Sequence, residues 1–256
     1  MGLLTLLTDF GFRDHYVAAL KARLLRLAPT LPVVDISHAV EPYDLAHAVH
    51  VLDSVFRDFP AGTVHVVGVN DHGAGGPEPV WHAARFAGHY FVVADNGLLA
   101  LLCEGPPDEL VRLPAQATPS PTRDVLLPAA VALAQGATLP SLGEPTSEFH
   151  RLNNRQLRIQ DHRITGHVTH VDHYGNLITN ISQEAVTAVG RTRPMTVHFG
   201  REVVREVHPH FSAAAPGEAV LVFNSHDCLC IGVCQGNAAE LLGLQFDSQV
   251  DVRFAE

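Results

Sequence analysis

Short apolar runs alternate with amphipathic segments in the first half of the chain, and this alternation constrains the fold most strongly. The apolar runs lie at residues 3–7, 33–36, 64–69 and 90–94. Between them, apolar residues recur at helical spacing before Pro29 (Val17, Leu20, Leu24, Leu27) and again over residues 45–56. Strands separated by helices favour a mostly parallel sheet with right-handed crossovers. We therefore predict an α/β N-terminal domain over residues 1–150.

The second half has a different pattern, with short β-type segments and little helix between them. These segments lie at residues 156–160, 166–171, 195–199, 219–223, 228–233 and 249–254. Closely spaced short strands are typical of a sandwich or barrel. We predict a smaller, all-β, barrel-like C-terminal domain over residues 160–256, with the boundary between about residues 145 and 160.

Composition narrows the class of partner. The chain has 17 Lys and Arg against 27 Asp and Glu, a net charge of −10, which disfavours nucleic acid and anionic membranes as partners. No apolar run approaches the roughly 18 residues of a membrane helix, and the apolar start lacks the basic residues of a signal peptide. We predict a soluble, cytoplasmic protein without a membrane partner.

Cysteine and histidine content raises the question of a metal. Of the four cysteines, Cys228 and Cys230 share one face of a predicted strand, where we expect them to be reduced and to pack as small apolar residues. The 17 histidines are scattered and form no H-E-x-x-H motif. We predict no bound metal. A metal-dependent hydrolase that uses these histidines is kept as an alternative hypothesis.

Polar clusters follow four of the predicted strands, at residues 8–11, 37–38, 70–72 and 95–97. Each cluster alone is also typical of a turn, but the carboxyl ends of parallel strands share the edge where open α/β sheets bind ligands. Asp9 is the carboxylate best placed to accept hydrogen bonds from a ribose diol. No G-x-G-x-x-G or Walker motif follows the first strand, which favours a ribose-containing ligand without phosphate.

Residues 167–181 form the densest polar segment of the second half. Asn176 offers a donor and an acceptor to an adenine edge, and Tyr174 offers a ring that can stack on a base. A β-hairpin with a turn at Gly175-Asn176 explains the same residues equally well.

Several long motifs resemble the S-adenosylmethionine (SAM) hydrolase (adenosine-forming) and SAM-dependent chlorinase/fluorinase family. They are TDFGFRDHYV (8–17), VVDISHAVEPYDLAHAVHVL (33–52), FPAGTVHVVGV (59–69), VADNGLL (93–99), HVDHYGNLITNI (170–181) and NSHDCLCIGVCQGNAAELLGL (224–244). The resemblance implies an α/β domain followed by a β-barrel domain. It also implies a homotrimer that binds SAM between subunits, with no further cofactor. The reaction it implies is attack on ribose C5′ by hydroxide or halide, which displaces methionine.

The resemblance assigns ligand-binding roles to individual residues of this chain. Asp9 matches the carboxylate that holds the ribose hydroxyls, and Tyr43 matches an aromatic residue that packs on the ligand. The second half supplies the residues matching the methionine amino, base-stacking, adenine-edge and methionine carboxylate positions, in that order: Asp172, Tyr174, Asn176 and Ser225.

The catalytic motif departs from the hydrolase pattern at two of its three positions. Asp71 is present, and we predict that it orients the attacking water. The family's arginine position falls on Glu78, or on Pro77 or Pro79 if the loop slips by one, and its histidine position falls on Pro121. We consider two functions, a SAM hydrolase releasing adenosine and L-methionine and a SAM- or adenosine-binding protein without activity. In the hydrolase, His72 and Arg85 are candidates to replace the missing groups.

Thr122 occupies the position where the halogenating members have a small residue beside the halide. A hydroxyl there is a candidate ligand contact. The halogenases' companion positions are Asp71 and Ala74 here, and a carboxylate beside the site repels halide. We therefore predict that the chain is not a halogenase.

Overall fold

A computed structural model describes residues 2–73, 75, 78–103, 105–153 and 155–255. The chain divides into two compact units, Met1–Asn154 and Arg155–Glu256. Each unit has its own sheet and its own buried apolar residues, which form two clusters in the first unit and one in the second. Pro77 and Ala74, two positions of the predicted catalytic loop, lie outside the described residues.

The described residues of the first unit form seven strands and four α-helices. The strands are β1 (Leu4–Thr8), β2 (Val33–Ser37), β3 (Val64–Gly68), β4 (Trp81–Phe86), β5 (His89–Ala94), β6 (Glu109–Arg112) and β7 (Glu144–Pro145). The helices are α1 (Tyr16–Leu27), α2 (Leu45–Asp53), α3 (Leu98–Leu102) and α4 (Leu127–Ala134), the last preceded by a π-helical turn, Thr122–Leu126.

The sheet of the first unit has the order β2-β1-β3-β5-β4-β6-β7. The four strands predicted from the sequence are parallel, and β4, β6 and β7 add an antiparallel side. The predicted α/β class is confirmed, although the sheet is mixed. The tight β4–β5 connection at Ala87 and Gly88, both with positive φ, reverses the chain without a helix.

Both faces of this sheet are buried, which explains the continuous apolar runs. Leu4 and Leu6 contribute to the cluster that includes α1 and α4 residues, whereas Leu7 faces the cluster with α2 and α3 residues. Helix α1 buries Leu20 and Leu24, in agreement with the predicted spacing. The carboxyl ends of the four parallel strands consequently share one open edge.

Over the described residues 155–255, the second unit is built from strands and two short helices, as its sequence pattern predicts. The strands are β8 (Arg158–Gln160), β9 (Arg163–Val171), β10 (Leu177–Ser182), β11 (Met195–Phe199), β12 (Glu202–Val204), β13 (Ala219–Phe223), β14 (Cys228–Val233) and β15 (Gln249–Phe254). Their pairing is antiparallel in the order β12-β11-β15-β9-β10-β14-β13, a nearly closed, barrel-like sheet. The helices are α5 (Gln183–Gly190) and α6 (Ala238–Leu242).

Helices of the described part of the chain are all too short or too polar to cross a membrane.

Candidate functional site

Asp9 joins three segments at the open edge of the first unit. Its Oδ2 accepts hydrogen bonds from the backbone N–H groups of Tyr43 (3.0 Å) and Asn70 (3.2 Å). Both donors have left-handed backbone conformations, with φ of 65° and 48°. Such conformations are costly for residues other than glycine and are frequent at binding sites. The carboxylate predicted to bind ribose therefore also determines where Tyr43 and Asn70 lie.

Asn96 links the ends of β3 and β5 at the same edge. Its side-chain amide donates to the carbonyls of Val69 (2.9 Å) and Asn70 (3.1 Å), and its Oδ1 accepts from the N–H of Leu98. Asn96 is buried, and its bonds to Val69 and Leu98 are shielded from water. The sequence places this cluster among the four at the strand ends but assigns Asn96 no individual role.

The cluster after β2 packs behind Asp9. The buried His38 ring lies with Nδ1 2.8 Å from Thr8 Oγ1, and its backbone carbonyl accepts from the N–H of Gly11 at 2.7 Å. All four polar clusters predicted at the strand ends thus meet at one edge, through bonds that join residues 26 to 61 positions apart.

Asp71 is bound by Thr122 rather than exposed on a loop. Its Oδ2 accepts from both the backbone N–H (3.1 Å) and the hydroxyl (2.6 Å) of Thr122, and its backbone carbonyl accepts from Trp81 Nε1. Thr122 is fully buried, and a Cβ on Gly68 would lie 2.5 Å from its hydroxyl oxygen. Glycine at position 68 therefore makes room for Thr122.

The proposed replacements for the missing catalytic groups are only partly supported. His72 lies at the site, with Nδ1 3.3 Å from Asp71 Oδ1 and its side chain 60% exposed. Arg85 does not. It pairs with Glu109 at 2.7 Å and stands opposite Tyr90, near the amino end of β5 and at the other edge of the sheet. Arg85 cannot take the arginine's place, because the strand carries it about 13 Å beyond Trp81.

The two altered positions offer no matching chemistry. Pro121 is buried at the start of the π-helical turn, and Glu78 is exposed and acidic. The next residues of that turn form a local pair, Arg123 donating to both oxygens of Asp124. The hydrogen bond from Arg123 holds the pKa of Asp124 below its usual range.

Thr122 does not present its hydroxyl as a halide donor. Both of its donors are directed to one oxygen of Asp71. A charged carboxylate occupies the position that an anion would need. The prediction that Thr122 contacts the ligand therefore has no support in this arrangement.

Exposed aromatic rings lie near Asp9. The side chain of Tyr43 is 74% exposed and that of Phe12 72% exposed. An exposed aromatic face can pack against a sugar or a base. The sequence did not single out Phe12.

In the second unit, Asp172 organises the β9–β10 turn. Its Oδ1 accepts from the N–H groups of Tyr174 (2.9 Å) and Asn176 (2.8 Å), and its Oδ2 accepts from the side-chain amide of Asn176 (2.9 Å). The ring of Tyr174 is 76% exposed. The hairpin predicted at Gly175-Asn176 is present, and it brings together three of the residues to which the resemblance assigns ligand contacts.

Helix α6 packs against this turn. A Cβ on Gly175 would lie 2.0 Å from Asn237 Oδ1, and the Gly175 carbonyl accepts from Ala239 N–H. Asn237 caps α6 by accepting from Glu240 N–H at 3.1 Å, and its amide donates to Glu240 Oε1. We did not predict this support, although N-x-x-E resembles a capping box.

Ser225 lies in a different turn. It is exposed between β13 and β14, where Asn224 Oδ1 accepts from His226 and Cys228. Leu177, next to the Asp172 turn, pairs with Ile231, whereas Ser182 pairs with Cys228. The two turns thus flank opposite ends of β10, about 10 Å apart along β14. A ligand that contacts both must be elongated.

No metal site is visible in the described ranges, which contain no group of three or more His, Cys, Asp or Glu able to hold an ion. None of the four cysteines forms a disulfide. Burial raises the pKa of Cys230 to about 12 and that of Cys103 to about 11, so both are neutral thiols. Cys230 is buried as a small apolar residue, as predicted, whereas Cys228 beside it is half-buried.

Comparison with known proteins identifies two family domains, in the same order as the two units of the structure. Models of the SAM hydroxide adenosyltransferase N-terminal and C-terminal domains match residues 4–143 and 166–251. The (R)-S-adenosyl-L-methionine hydrolase of Salinispora tropica is 34% identical over 93% of this chain and 92% of its own length. The hydrolase of the same name from Thermus thermophilus is 33% identical over 93% and 94%. A fluorinase of Nocardia brasiliensis is more distant, at 26% over 73% and 74%.

Solved structures share the fold over the full length. A crystal structure of a conserved Thermotoga maritima protein matches with a TM-score of 0.87 and 27% identity, covering 98% of this chain and all of that one. A conserved protein of Thermus thermophilus matches with a TM-score of 0.78 and 31% identity, covering both chains fully. Since two domain models match in order and the hydrolases align over nearly the whole length, the chain belongs to the SAM hydroxide adenosyltransferase family.

Proposed function

We propose that the chain hydrolyses SAM to adenosine and L-methionine. The observation that carries the proposal is the edge at which Asp9, Tyr43 and Asp71 meet, each held by hydrogen bonds from distant segments. The names of the related hydrolases support the same reaction. The substrate is the only small molecule that the reaction requires besides water, and we propose no cofactor.

The reaction suits a site of this kind. Water attacks ribose C5′, the C5′–S bond breaks, and its electron pair neutralises the sulfonium, so that methionine leaves as a neutral thioether. The attacking water gives up one proton to solvent. Because the leaving group is already activated, the protein mainly has to position the water and the substrate. Asp71 orients the water in this proposal.

The remaining residues bind different parts of the substrate. Asp9 has two carboxylate oxygens with about four acceptor sites, so it can bind ribose hydroxyls while retaining its two backbone donors. Tyr43 packs on the nucleoside. In the second unit, Asn176 and Tyr174 bind adenine, and Asp172 and Ser225 bind the amino-acid end. The separation of the two turns suits an elongated ligand.

A direct assay tests the proposal. Purified protein is incubated with the (R) and (S) sulfonium epimers of SAM in separate reactions, and adenosine and methionine are quantified by chromatography. We expect turnover in the wild type and a loss of at least about 100-fold in Asp71→Asn, with SAM binding retained in calorimetry. Asp58→Asn, at an exposed carboxylate elsewhere, is the matched control and should be fully active.

The second candidate is a SAM- or adenosine-binding protein without activity. It is favoured by Pro121 and Glu78 at the positions of the family's histidine and arginine. Wild-type protein that binds SAM saturably across pH 6–9 and releases no adenosine would establish this candidate and exclude the hydrolase. We do not propose a halogenase, because Asp71 occupies the donors of Thr122.

We also propose a cytoplasmic homotrimer in which the ligand lies between subunits. Cysteines without disulfides are in keeping with a reducing compartment. Light scattering after gel filtration measures the mass of the assembly. Mixing Asp71→Asn chains with Ser225→Ala chains, after mild dissociation, should restore part of the activity if each site draws on two chains. A monomer, or a mixture that stays inactive, would contradict the shared site.

A further inference from the structure

Two donors of one buried residue converge on a single oxygen of Asp71. The backbone N–H of Thr122 lies 3.1 Å from Asp71 Oδ2, and its hydroxyl lies 2.6 Å from the same atom. Hydrogen bonds to a charged acceptor are roughly twice as strong as neutral ones. The Thr122 side chain is buried and that of Asp71 is 14% exposed, which limits the competition of water for these bonds.

Thr122 is itself held in place on two sides. Gly68 of β3 leaves just enough space for its side chain, since a Cβ there would approach Oγ1 to 2.5 Å and Cγ2 to 2.8 Å. On the other side, the preceding segment is tied by Thr118, whose hydroxyl donates to Asp124 at 2.6 Å. A clamp with this little freedom can fix the rotation of a carboxylate.

The two oxygens of Asp71 consequently differ. Oδ2 receives both donors of Thr122, whereas Oδ1 faces the exposed His72 ring at 3.3 Å. The Asp71 side chain is 14% exposed, so only a small part of the carboxylate reaches solvent. If the carboxylate could turn, the acceptor presented to water would change from one conformation to the next.

We propose that Thr122 is the positioning residue of Asp71, and that its two hydrogen bonds to Oδ2 leave Oδ1 as the oxygen that orients the attacking water. This inference rests on the proposed hydrolase function. Thr122 touches neither substrate nor water in this role; it acts through Asp71. The Thr122 hydroxyl thereby orients the Asp71 carboxylate. Pro121 cannot do this because it has no polar side chain.

The test compares two substitutions at one position. Thr122→Val keeps the shape and the backbone donor but removes the hydroxyl, and Thr122→Ser keeps both donors. We expect kcat for SAM hydrolysis to fall about 10- to 100-fold in Thr122→Val, with KM within about twofold of the wild type. Thr122→Ser should recover most of kcat. Thr5→Val is the matched control, because Thr5 is equally buried on β1 with its hydroxyl bonded to His65.

Every outcome decides the inference. Unchanged kcat in Thr122→Val, or an equal loss in Thr122→Ser, overturns it and leaves the hydrolase function standing. A wild type without turnover overturns the proposed function and this inference together. If Thr122→Val does not fold by circular dichroism, Gly68→Ala supplies the second variant, since the added methyl displaces the Thr122 hydroxyl. Loss of kcat with retained fold and SAM binding supports the inference, and full activity contradicts it.

Discussion

At the scale of single residues, the site contains strained backbone conformations that hydrogen bonds stabilise. Tyr43 and Asn70 both occupy the left-handed region, and both donate to Asp9 Oδ2. A conformation of this kind costs about 1–2 kcal/mol for a residue with a Cβ. Tyr43 is retained at that cost and is largely exposed, which indicates that the ring is kept for binding rather than stability.

Tyr43→Asn tests this interpretation. Asparagine adopts the left-handed region more readily, so we expect the free energy of unfolding to stay level or rise by up to about 1 kcal/mol. SAM affinity should fall about tenfold, because the ring is lost. Calorimetry in the Asp71→Asn background and thermal unfolding measure the two effects. Ala87→Asn relieves a similar conformation, φ 50°, at the β4–β5 turn and should leave affinity unchanged. An unaltered affinity in Tyr43→Asn would contradict a binding role.

At the scale of elements, a helix cap supports a binding turn. Asn237 begins α6 and packs directly against Gly175, while Asp172 satisfies three donors within the turn. The turn carries the candidate adenine-binding residues, and the contact with α6 contributes to its position.

Gly175→Ala should destabilise the second unit by about 3 kcal/mol. The added Cβ would lie 2.0 Å from Asn237 Oδ1, and φ is 81°, so steric and conformational costs combine. Gly217→Ala separates the two costs, because Gly217 has φ of 87° with no atom within 4 Å of the added Cβ. We expect about 1 kcal/mol there. Urea unfolding followed by circular dichroism gives both values; equal losses would mean that the α6 contact is unimportant.

At the scale of the whole molecule, buried histidines make stability depend on pH. His65 is fully buried, with Nδ1 2.7 Å from Thr5 Oγ1 and Nε2 3.2 Å from His89 Nδ1. Burial, assisted by His89, lowers the pKa of His65 to about 3. In the unfolded chain His65 binds a proton near pH 6.5, whereas in the folded chain it stays neutral at that pH. The stability contributed by neutral His65 is therefore complete above pH 6.5 and is lost progressively as pH falls toward 3.

Unfolding of the first unit should reveal this dependence. Between pH 6.5 and 4 we expect the free energy of unfolding to fall by up to about 1.4 kcal/mol per pH unit from His65 alone. The single tryptophan, Trp81, lies buried in the first unit, so its fluorescence during urea unfolding reports on that unit. His65→Met should be less stable at pH 7 but should show a shallower slope. An unchanged slope would contradict the assignment to His65.

Much of the architecture followed from local pattern. Continuous apolar runs indicated strands buried on both faces, and the helical spacing of Leu20 and Leu24 matched the buried face of α1. Hairpin chemistry at Gly175-Asn176 indicated the β9–β10 turn. Patterns of this kind are readable because periodicity and turn preference depend on neighbouring residues. The antiparallel strand β4 was missed, since its residues after Trp81 alternate weakly and no helix precedes β5.

The sequence by itself determined the two-part architecture, the family and the polar clusters at the strand ends. Only the tertiary structure decided what those clusters do. Thr122 binds Asp71 across 51 positions of the chain, and Arg85 stands at the opposite edge of the sheet although it is near Asp71 in sequence. A strand or helix is set by local interactions, whereas the direction of a hydrogen bond depends on where distant elements come to lie. That is why residue types pointed to the site, and geometry assigned their roles.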